Sequence, residues 1–347
     1  MRVAYTLEQS WHRVPGGTAA AALEVAKRLA PHLVGVSAWH RRPPPAPWTP
    51  PIRVRPLPLP RPALYDAWLW ARTPPVQLAT GRVDVVHATT IIVPPRTAPL
   101  VVTVHDLAFL HEREHFTARG NRAFRRGLEL VRRRADLVLV SSLATLTDAT
   151  AAGIPTERLR HVPLGVSVAP ADAAARRRFG LDRPYLLFVG TLEPRKNLAR
   201  LVEAVGRLPT DHVLAVAGLD GWGDAAPPAN DRIRLLGFVS DPERDALYAG
   251  ADAFVYPSLR EGFGLPVAEA MAHGTPVVTS RGTSTEEVAG GAAVLVDPYD
   301  AEAIADGITA ALADRDRLVA AGHLRAAELT WECTAAATLA VYRELAG

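Results

Sequence analysis

A single cysteine, Cys333, stands among 347 residues. One thiol excludes an internal disulfide and a cysteine-built metal cage, and its place in an alanine-rich helical stretch leads us to expect a buried filler residue. Long apolar runs are missing too. None reaches the roughly 18 to 20 uncharged residues that a spanning helix needs, so no transmembrane segment is expected. The opening "MRVAYTLEQSWHRVPGG" reads as a strand and a turn and lacks the apolar core of a signal peptide, from which a cytoplasmic location is expected. No G-x-G-x-x-G and no Walker A pattern occurs, which argues against a dinucleotide oxidoreductase and a P-loop enzyme. No D-x-D metal motif is read either.

The length favours two domains. Charge is unevenly spread: 22 Lys+Arg against 11 Asp+Glu up to residue 168 gives +11, and 17 against 25 thereafter gives −8. A basic first half fits a surface that meets something anionic. It carries no recognisable nucleic-acid module and the acidic half would repel a phosphate backbone, so no nucleic-acid partner is expected.

Apolar runs of β type alternate with helical patterns, the signature of parallel sheets covered by helices. Strands are expected at 3–6, 85–89, 100–107 and 137–142, then at 185–191, 212–218, 233–237, 253–258, 276–280 and 293–298. Each half reads as an α/β, Rossmann-like doubly wound domain. The stretch 165–184 loses strand character, so the boundary is expected near residue 168, with domains 1–168 and 169–330. Ligands of open α/β sheets bind outside the carboxyl ends of the strands, and two such domains face to face would form an interdomain cleft. Residues 43–62 hold too many prolines for a central strand or helix and are expected as an extended surface segment.

Four patterns carry chemistry. In "REGFGLPVAEAMAHG", Glu261 and Glu269 flank a glycine turn that follows the strand "AFVYPS" and opens a helix at Pro266. Free N–H groups and the dipole at such a helix start bind phosphate. Glu269 can accept hydrogen bonds from a vicinal diol, and Glu261 can meet sugar hydroxyls or developing positive charge; the plainer reading is two solvated glutamates. In "GTLEPRKNL", Arg195 and Lys196 lie beside a strand's carboxyl end, where they can neutralise a diphosphate or simply be solvated. In "VHDL", His105 ends an apolar strand, either facing a ligand or as a satisfied structural histidine. Gly16 and Gly17 join the first strand to a helix, and either admit phosphate or acceptor to the backbone or only make the turn.

Taken in order, "GG", "HD", "GTLEPRKNL", "LGFVSDPERDALYAGADAFVYPSLREGFGLPVAEAMAHGTPVV" and the tryptophan-led "WECTAAATLAVYREL" resemble retaining glycosyltransferase family 4, with its GT-B fold. The resemblance covers nearly the whole chain and is strongest over 185–298. It implies that Glu269 binds ribose hydroxyls, that Glu261 sits by the donor sugar and that backbone groups of Phe263, Gly264 and Leu265 contact sugar and phosphate. It further implies that Lys196 meets the diphosphate, that His105 lies near the reaction centre, that Gly16 and Gly17 form the N-terminal glycine loop, and that "GFV", ending at Val239, lies against the base. The chain departs from the family at Thr191, where many members carry an arginine; Arg195 is expected to replace that charge. The stretch from Trp331 to 347 is expected to return to the first domain and complete it.

The same resemblance implies a hexosyltransferase that retains configuration and needs neither cofactor nor metal, with a mannosyl donor, GDP-mannose, favoured and rhamnosyl or glucosyl donors open. Its acceptor is expected to be a glycan or a lipid-linked acceptor bound by the first domain. Tryptophans in "LYDAWLWARTPP" read as exposed, and with the arginines of "RRGLELVRRR" they either dock an anionic membrane peripherally or belong to an ordinary soluble surface. The contrasting reading is a catalytically silent nucleotide-sugar-binding protein that acts through partners.

Overall fold

The computed structural model describes residues 1–12, 16–112, 116–168, 174–219 and 231–347. They divide into two units, Met1–Leu164 with Trp331–Gly347, and Gly165–Thr330. The chain therefore changes unit shortly before residue 168, and residues 169–173 of that stretch lie outside the described residues.

Unit 1 runs β1 (Val3–Thr6), α1 (Gly16–Arg28), β2 (Leu33–Ser37), β3 (Val54–Pro56), α2 (Arg61–Asp66), α3 (Gln77–Thr80), β4 (Val85–Ala88), β5 (Leu100–Val104), α4 (Ala108–His111), α5 (Ala118–Arg134), β6 (Leu137–Val140), α6 (Leu143–Ala151) and β7 (Leu159–His161). All strand pairs are parallel, in the order β3-β2-β1-β4-β5-β6-β7. Period-two alternation sends side chains to opposite faces. Val3, Tyr5, Val85, Val101 and Leu139 pack in one cluster, while Ala4, Val86, Val102 and Val140 pack in another. Both faces are covered, which is why the strands read as continuous apolar runs.

Three strands of unit 1 escape the sequence pattern. β2 is five residues long but carries Gly35 at its centre, β7 has only three residues, and β3 lies inside the proline-rich segment as a three-residue edge strand. An edge position tolerates Pro56 because one side of the ladder is not needed. That segment is not wholly on the surface either, since Leu57 is fully buried.

Unit 2 runs α7 (Ala175–Arg178), β8 (Tyr185–Val189), α8 (Leu198–Arg207), β9 (Val213–Ala217), β10 (Ile233–Gly237), α9 (Asp241–Gly250), β11 (Ala253–Tyr256), α10 (Leu265–Ala272), β12 (Val277–Ser280), α11 (Ser284–Ala289), β13 (Val294–Val296), α12 (Ala301–Ala313) and α13 (Arg315–Glu328). Its sheet is again all parallel, ordered β10-β9-β8-β11-β12-β13. The last helix, α14 (Trp331–Ala346), belongs to unit 1.

Burial of Trp331, Ala335, Val341 and Tyr342 holds α14 to the unit 1 sheet. The Tyr342 hydroxyl pairs with His87 Nδ1 at 2.6 Å, and His87 Nε2 pairs with Thr103 Oγ1 at 2.8 Å. With both ring nitrogens paired to side chains, burial lowers the His87 pKa to about 3, so the ring is neutral.

Candidate active site

In unit 2 the strand order turns back between β8 and β11. Connections leave those two strands in opposite directions, which opens a crevice at their carboxyl ends, the general ligand position of doubly wound sheets. Loop 190–197 follows β8 and loop 257–264 follows β11. Close approach of neighbouring backbones shapes the first: a Cβ on Gly218 would lie 1.8 Å from the Gly190 carbonyl oxygen.

The two loops meet in one ion-pair network. Lys196, only 7% exposed, donates to Glu261 Oε1 at 2.5 Å and to the Tyr256 hydroxyl at 2.5 Å. Arg195 Nη1 reaches Glu261 Oε2 at 3.1 Å, while its Nε donates to Glu193 Oε2 at 2.8 Å. Thr191 Oγ1 donates to the other oxygen of Glu193 at 2.7 Å. Tyr256 and Ser258 hydroxyls also donate to Glu261 Oε1, at 2.9 Å and 2.7 Å.

Burial pushes the Glu261 pKa up, but Lys196 and Arg195 outweigh it and hold the carboxyl down to about 2. For Lys196 the balance runs the other way: burial, joined by the neighbouring Arg195 charge, lowers its pKa despite Glu261. Two cations and two carboxylates are thus packed with no net charge. Such a cluster can trade partners with an incoming diphosphate, because an ammonium and a guanidinium are already held at one point out of bulk water.

Beside this network, Gly264 caps α10 with φ +107°, and a Cβ there would sit 2.8 Å from Thr285 Cγ2. Only glycine takes that turn without strain. It leads directly into Leu265 and Pro266, so the mouth of α10 opens next to Glu261 in the chain. The N–H groups of Gly264 and Leu265 donate to no group among the described residues, which suits an anion. Phe263 is buried and anchors the turn. One turn into α10, Glu269 accepts from the Tyr248 hydroxyl at 2.9 Å, and Arg244 Nη1 stands 3.9 Å from its other oxygen.

Unit 1 presents a separate polar group at the carboxyl ends of its strands. His105 follows β5, and its Nε2–H donates to the Thr89 carbonyl at 3.1 Å. Burial lowers its pKa despite that bond, which makes it a neutral imidazole with Nδ1 as acceptor. Thr89 also bonds Thr6 and Gln9 at the end of β1, where the strand order of this sheet turns back. Gly16, at φ +63°, and Gly17 open α1 and are exposed; residues 13–15 before them lie outside the described residues. Beneath this group lies a cavity of about 40 Å³ lined by His87, Thr103, His105, Ser141 and Thr338.

The structure thus brings Thr191, Arg195, Lys196 and Glu261 together, with Phe263, Gly264, Leu265 and Glu269 on the adjoining turn and helix. Val239 is half-buried just after β10 and makes no hydrogen bond to that network among the described residues. Four readings are corrected. Cys333 is exposed, because it lies on the outward side of α14 between buried Trp331 and Thr334. Trp68 is buried, with its indole donating to Pro74 O at 3.0 Å, and only Trp70 stands out, 53% exposed. The strand expected to run from 253 to 258 ends at Tyr256, where Ser258 turns to serve Glu261. The sequence does hold one D-x-D, Asp314-Arg315-Asp316, but it opens α13, where Asp314 pairs with Arg317 at 2.5 Å.

Sequence reasoning missed Glu193, Tyr256, Ser258, Tyr248 and Arg244. Glu193 sits two residues before Arg195, a spacing at which an acid can aim a base across a tight turn. For the tyrosines, one closing the buried run of α9 and the other ending strand β11, nothing in the sequence separates a core ring from a site hydroxyl.

A parallel two-unit α/β chain with cations and a helix mouth at a switch point has the chemistry to hold an anionic ligand. Sequence comparison sharpens this class. The model described as "Glycosyl transferases group 1" matches residues 172–323, and that of Glycosyltransferase Family 4 matches residues 15–169. The chain is 33% identical over 281 residues to O-antigen chain mannosyltransferase B of Escherichia coli, covering 75% of this chain and 74% of that one. It is 32% identical over 245 residues to an MMP alpha-(1->4)-mannosyltransferase of Mycolicibacterium hassiacum, covering 62% of this chain and 55% of that one. Among solved structures, Anabaena HepE in complex with UDP-glucose superposes with a TM-score of 0.75 over 98% of this chain and 100% of that one, at 19% identity. The chain belongs to glycosyltransferase family 4 and has the GT-B fold. It is a glycosyltransferase.

Proposed function

We propose that the protein moves a hexose, mannose first, from a nucleoside diphosphate sugar, GDP-mannose first, to a glycan or lipid-linked acceptor, with retention and without a metal. The observation that carries this reading is the Lys196–Glu261–Arg195 network set beside the mouth of α10 with Glu269 one turn away. In this reading two adjoining loops and one helix supply a diphosphate site and a diol acceptor. Mannose is favoured by the relatives, whose names give mannosyl transfer.

In this reading Glu269 accepts the ribose hydroxyls, Val239 borders the base, and N–H groups of Gly264 and Leu265 with Lys196 and Arg195 take the diphosphate. As the bond from anomeric carbon to phosphate oxygen breaks, these cations stabilise the leaving charge, the task a metal performs elsewhere. The acceptor hydroxyl bonds to the anomeric carbon from the same face, and its proton passes to the departing diphosphate. Neutral His105 and the glycines at 16 and 17 serve as polar and backbone contacts rather than as charges. Glu261, engaged by four donors, holds the cations and orients the sugar. A covalent glycosyl-enzyme on Glu261 would overturn this order of events.

Thermal shift against GDP, UDP, ADP and dTDP, each with EDTA, tests the donor. Stabilisation by GDP above the others is expected. No response to any nucleotide contradicts the site, and a response that needs a divalent metal contradicts the metal-free mechanism.

We also propose peripheral contact with an anionic membrane through unit 1. Arg119, Arg122, Arg125, Arg132, Arg133 and Arg134 are exposed on α5, and the Arg126 guanidinium lies 5.3 Å from the ring centre of exposed Trp70. Basic side chains beside an exposed indole fit an anionic headgroup layer. No helix among the described residues is long and apolar enough to cross a membrane. Flotation with anionic vesicles at low salt should carry the protein up, and absence of flotation refutes the contact.

A further inference from the structure

Glu269 is the carboxylate given to the ribose in the reading above, and its own surroundings are unusually fixed. It lies on α10, whose neighbour α9 carries Tyr248, a residue with no exposed surface. The Tyr248 ring stacks on His273, with centroids 5.5 Å apart and planes at 23°, and meets the edge of Phe254 at 5.4 Å. Its backbone carbonyl accepts from Thr275 Oγ1 at 2.6 Å. The ring is thus held between His273 and Phe254, and its hydroxyl points at Glu269 Oε2 at 2.9 Å.

His273 is itself tied to the same helix. Its Nδ1 donates to the Glu269 carbonyl at 2.8 Å, and its Nε2 faces Asp245 Oδ2 at 3.6 Å. Arg244 binds Asp245 at 3.1 Å and stands 3.9 Å from Glu269 Oε1, beyond hydrogen-bond distance. A carboxylate offers about four acceptor directions. The phenol occupies one of them, on Oε2, and the rest stay available to a pair of hydroxyls. Only 18% of the Glu269 side chain is exposed, so the open part is one edge.

We infer that Tyr248 is a positioning residue for donor binding: its hydroxyl fixes the Glu269 carboxylate in the orientation that receives a ribose diol. The inference rests on the reading of Glu269 as the ribose ligand. Holding a flexible glutamate before the ligand arrives removes an ordering cost from binding. The gain is realised only with a ligand that has both hydroxyls.

The test compares ribo- and 2′-deoxyribonucleoside diphosphates, GDP and dGDP, by titration calorimetry on the full chain. Wild type should prefer GDP by roughly tenfold or more, the worth of a hydrogen bond to a charged group. In Tyr248→Phe the GDP dissociation constant should rise roughly 5- to 20-fold. That for dGDP should change less than about twofold, so the preference collapses. With sugar donor, KM should rise in parallel and kcat stay within about twofold, because the Tyr248 hydroxyl bonds to Glu269 and makes no hydrogen bond to the Lys196 network. Thr275→Val, which loosens the tyrosine backbone but keeps the phenol, should retain the wild-type preference and separates positioning from general loosening. Equal weakening of GDP and dGDP in Tyr248→Phe, or an unchanged preference, overturns the inference. Binding of GDP and dGDP alike by wild type overturns the role of Glu269 on which it rests, and no binding of either overturns the donor site itself.

Discussion

Replacing Lys196 by methionine removes one half of an ion pair whose side chains are each 8% exposed. Glu261 is held from the ordinary 4.5 down to about 2, which corresponds to roughly 3 kcal/mol of stabilisation of its charged form. The pair's net worth is smaller, because burial and the Arg195 charge together disfavour the ammonium despite Glu261. Arg195, Tyr256 and Ser258 remain on Glu261 in the variant. We therefore expect a loss of about 2 kcal/mol, below the range for a wholly orphaned buried charge. In a domain the size of unit 2 that lowers Tm by roughly 4 to 8 °C. The double variant K196M/E261Q removes both charges and should recover at least half of the loss. Neither should recover activity: kcat should stay roughly 100- to 1000-fold down, the scale for removing one preorganised charge at a leaving group. Scanning calorimetry and initial rates on the three proteins provide the assay. Equal destabilisation of the single and double variants refutes the coupled pair, and wild-type turnover in K196M refutes the diphosphate role.

Acid should weaken unit 1 before it touches the Glu261 network. His87 and His12 have pKa values lowered to about 3 and about 4, both chiefly by burial. Their neutral forms contribute stability that is complete above pH 6.5 and is lost as pH falls below it, by roughly 1.5 kcal/mol per histidine between pH 6.5 and 5. Denaturant midpoints across that window should fall, and His87→Gln should flatten the slope; an unchanged slope removes His87 from the account. Glu261 acts lower down, since its contribution is present above pH 4.5 and is lost only as pH falls towards 2. Gly264→Ala should cost about 1 to 3 kcal/mol and weaken nucleotide binding together, because φ is +107° and the new Cβ meets Thr285. A variant as stable as wild type would show that the turn relaxes freely.

Six strands of unit 2 were legible as short runs rich in apolar residues and bounded by glycine, proline or charge; the inner strands β8, β9, β11 and β12 are buried almost throughout, while the edge strands β10 and β13 are partly exposed. β3 was not, since an edge strand needs neither a long run nor freedom from proline. The chemistry-bearing turn 260–269 was legible as strand, glycine turn and helix start. Its partners were harder to see. Lys196 and Glu261 are 65 positions apart, and only the adjacency of β8 and β11 brings them together. Sequence spacing gave Arg195 and Lys196 as cations for an anion, yet could not show that Glu193 and Glu261 already neutralise them. Tyr248 reads as core from its surroundings and is core, apart from one hydroxyl.

The most direct test is a crystal structure of the chain with GDP in the presence of EDTA. The account predicts the diphosphate against Lys196, Arg195 and the N–H groups of Gly264 and Leu265, with the ribose hydroxyls on Glu269. Nucleotide bound elsewhere, with the Lys196–Glu261 pair unchanged and Glu269 unoccupied, would contradict it.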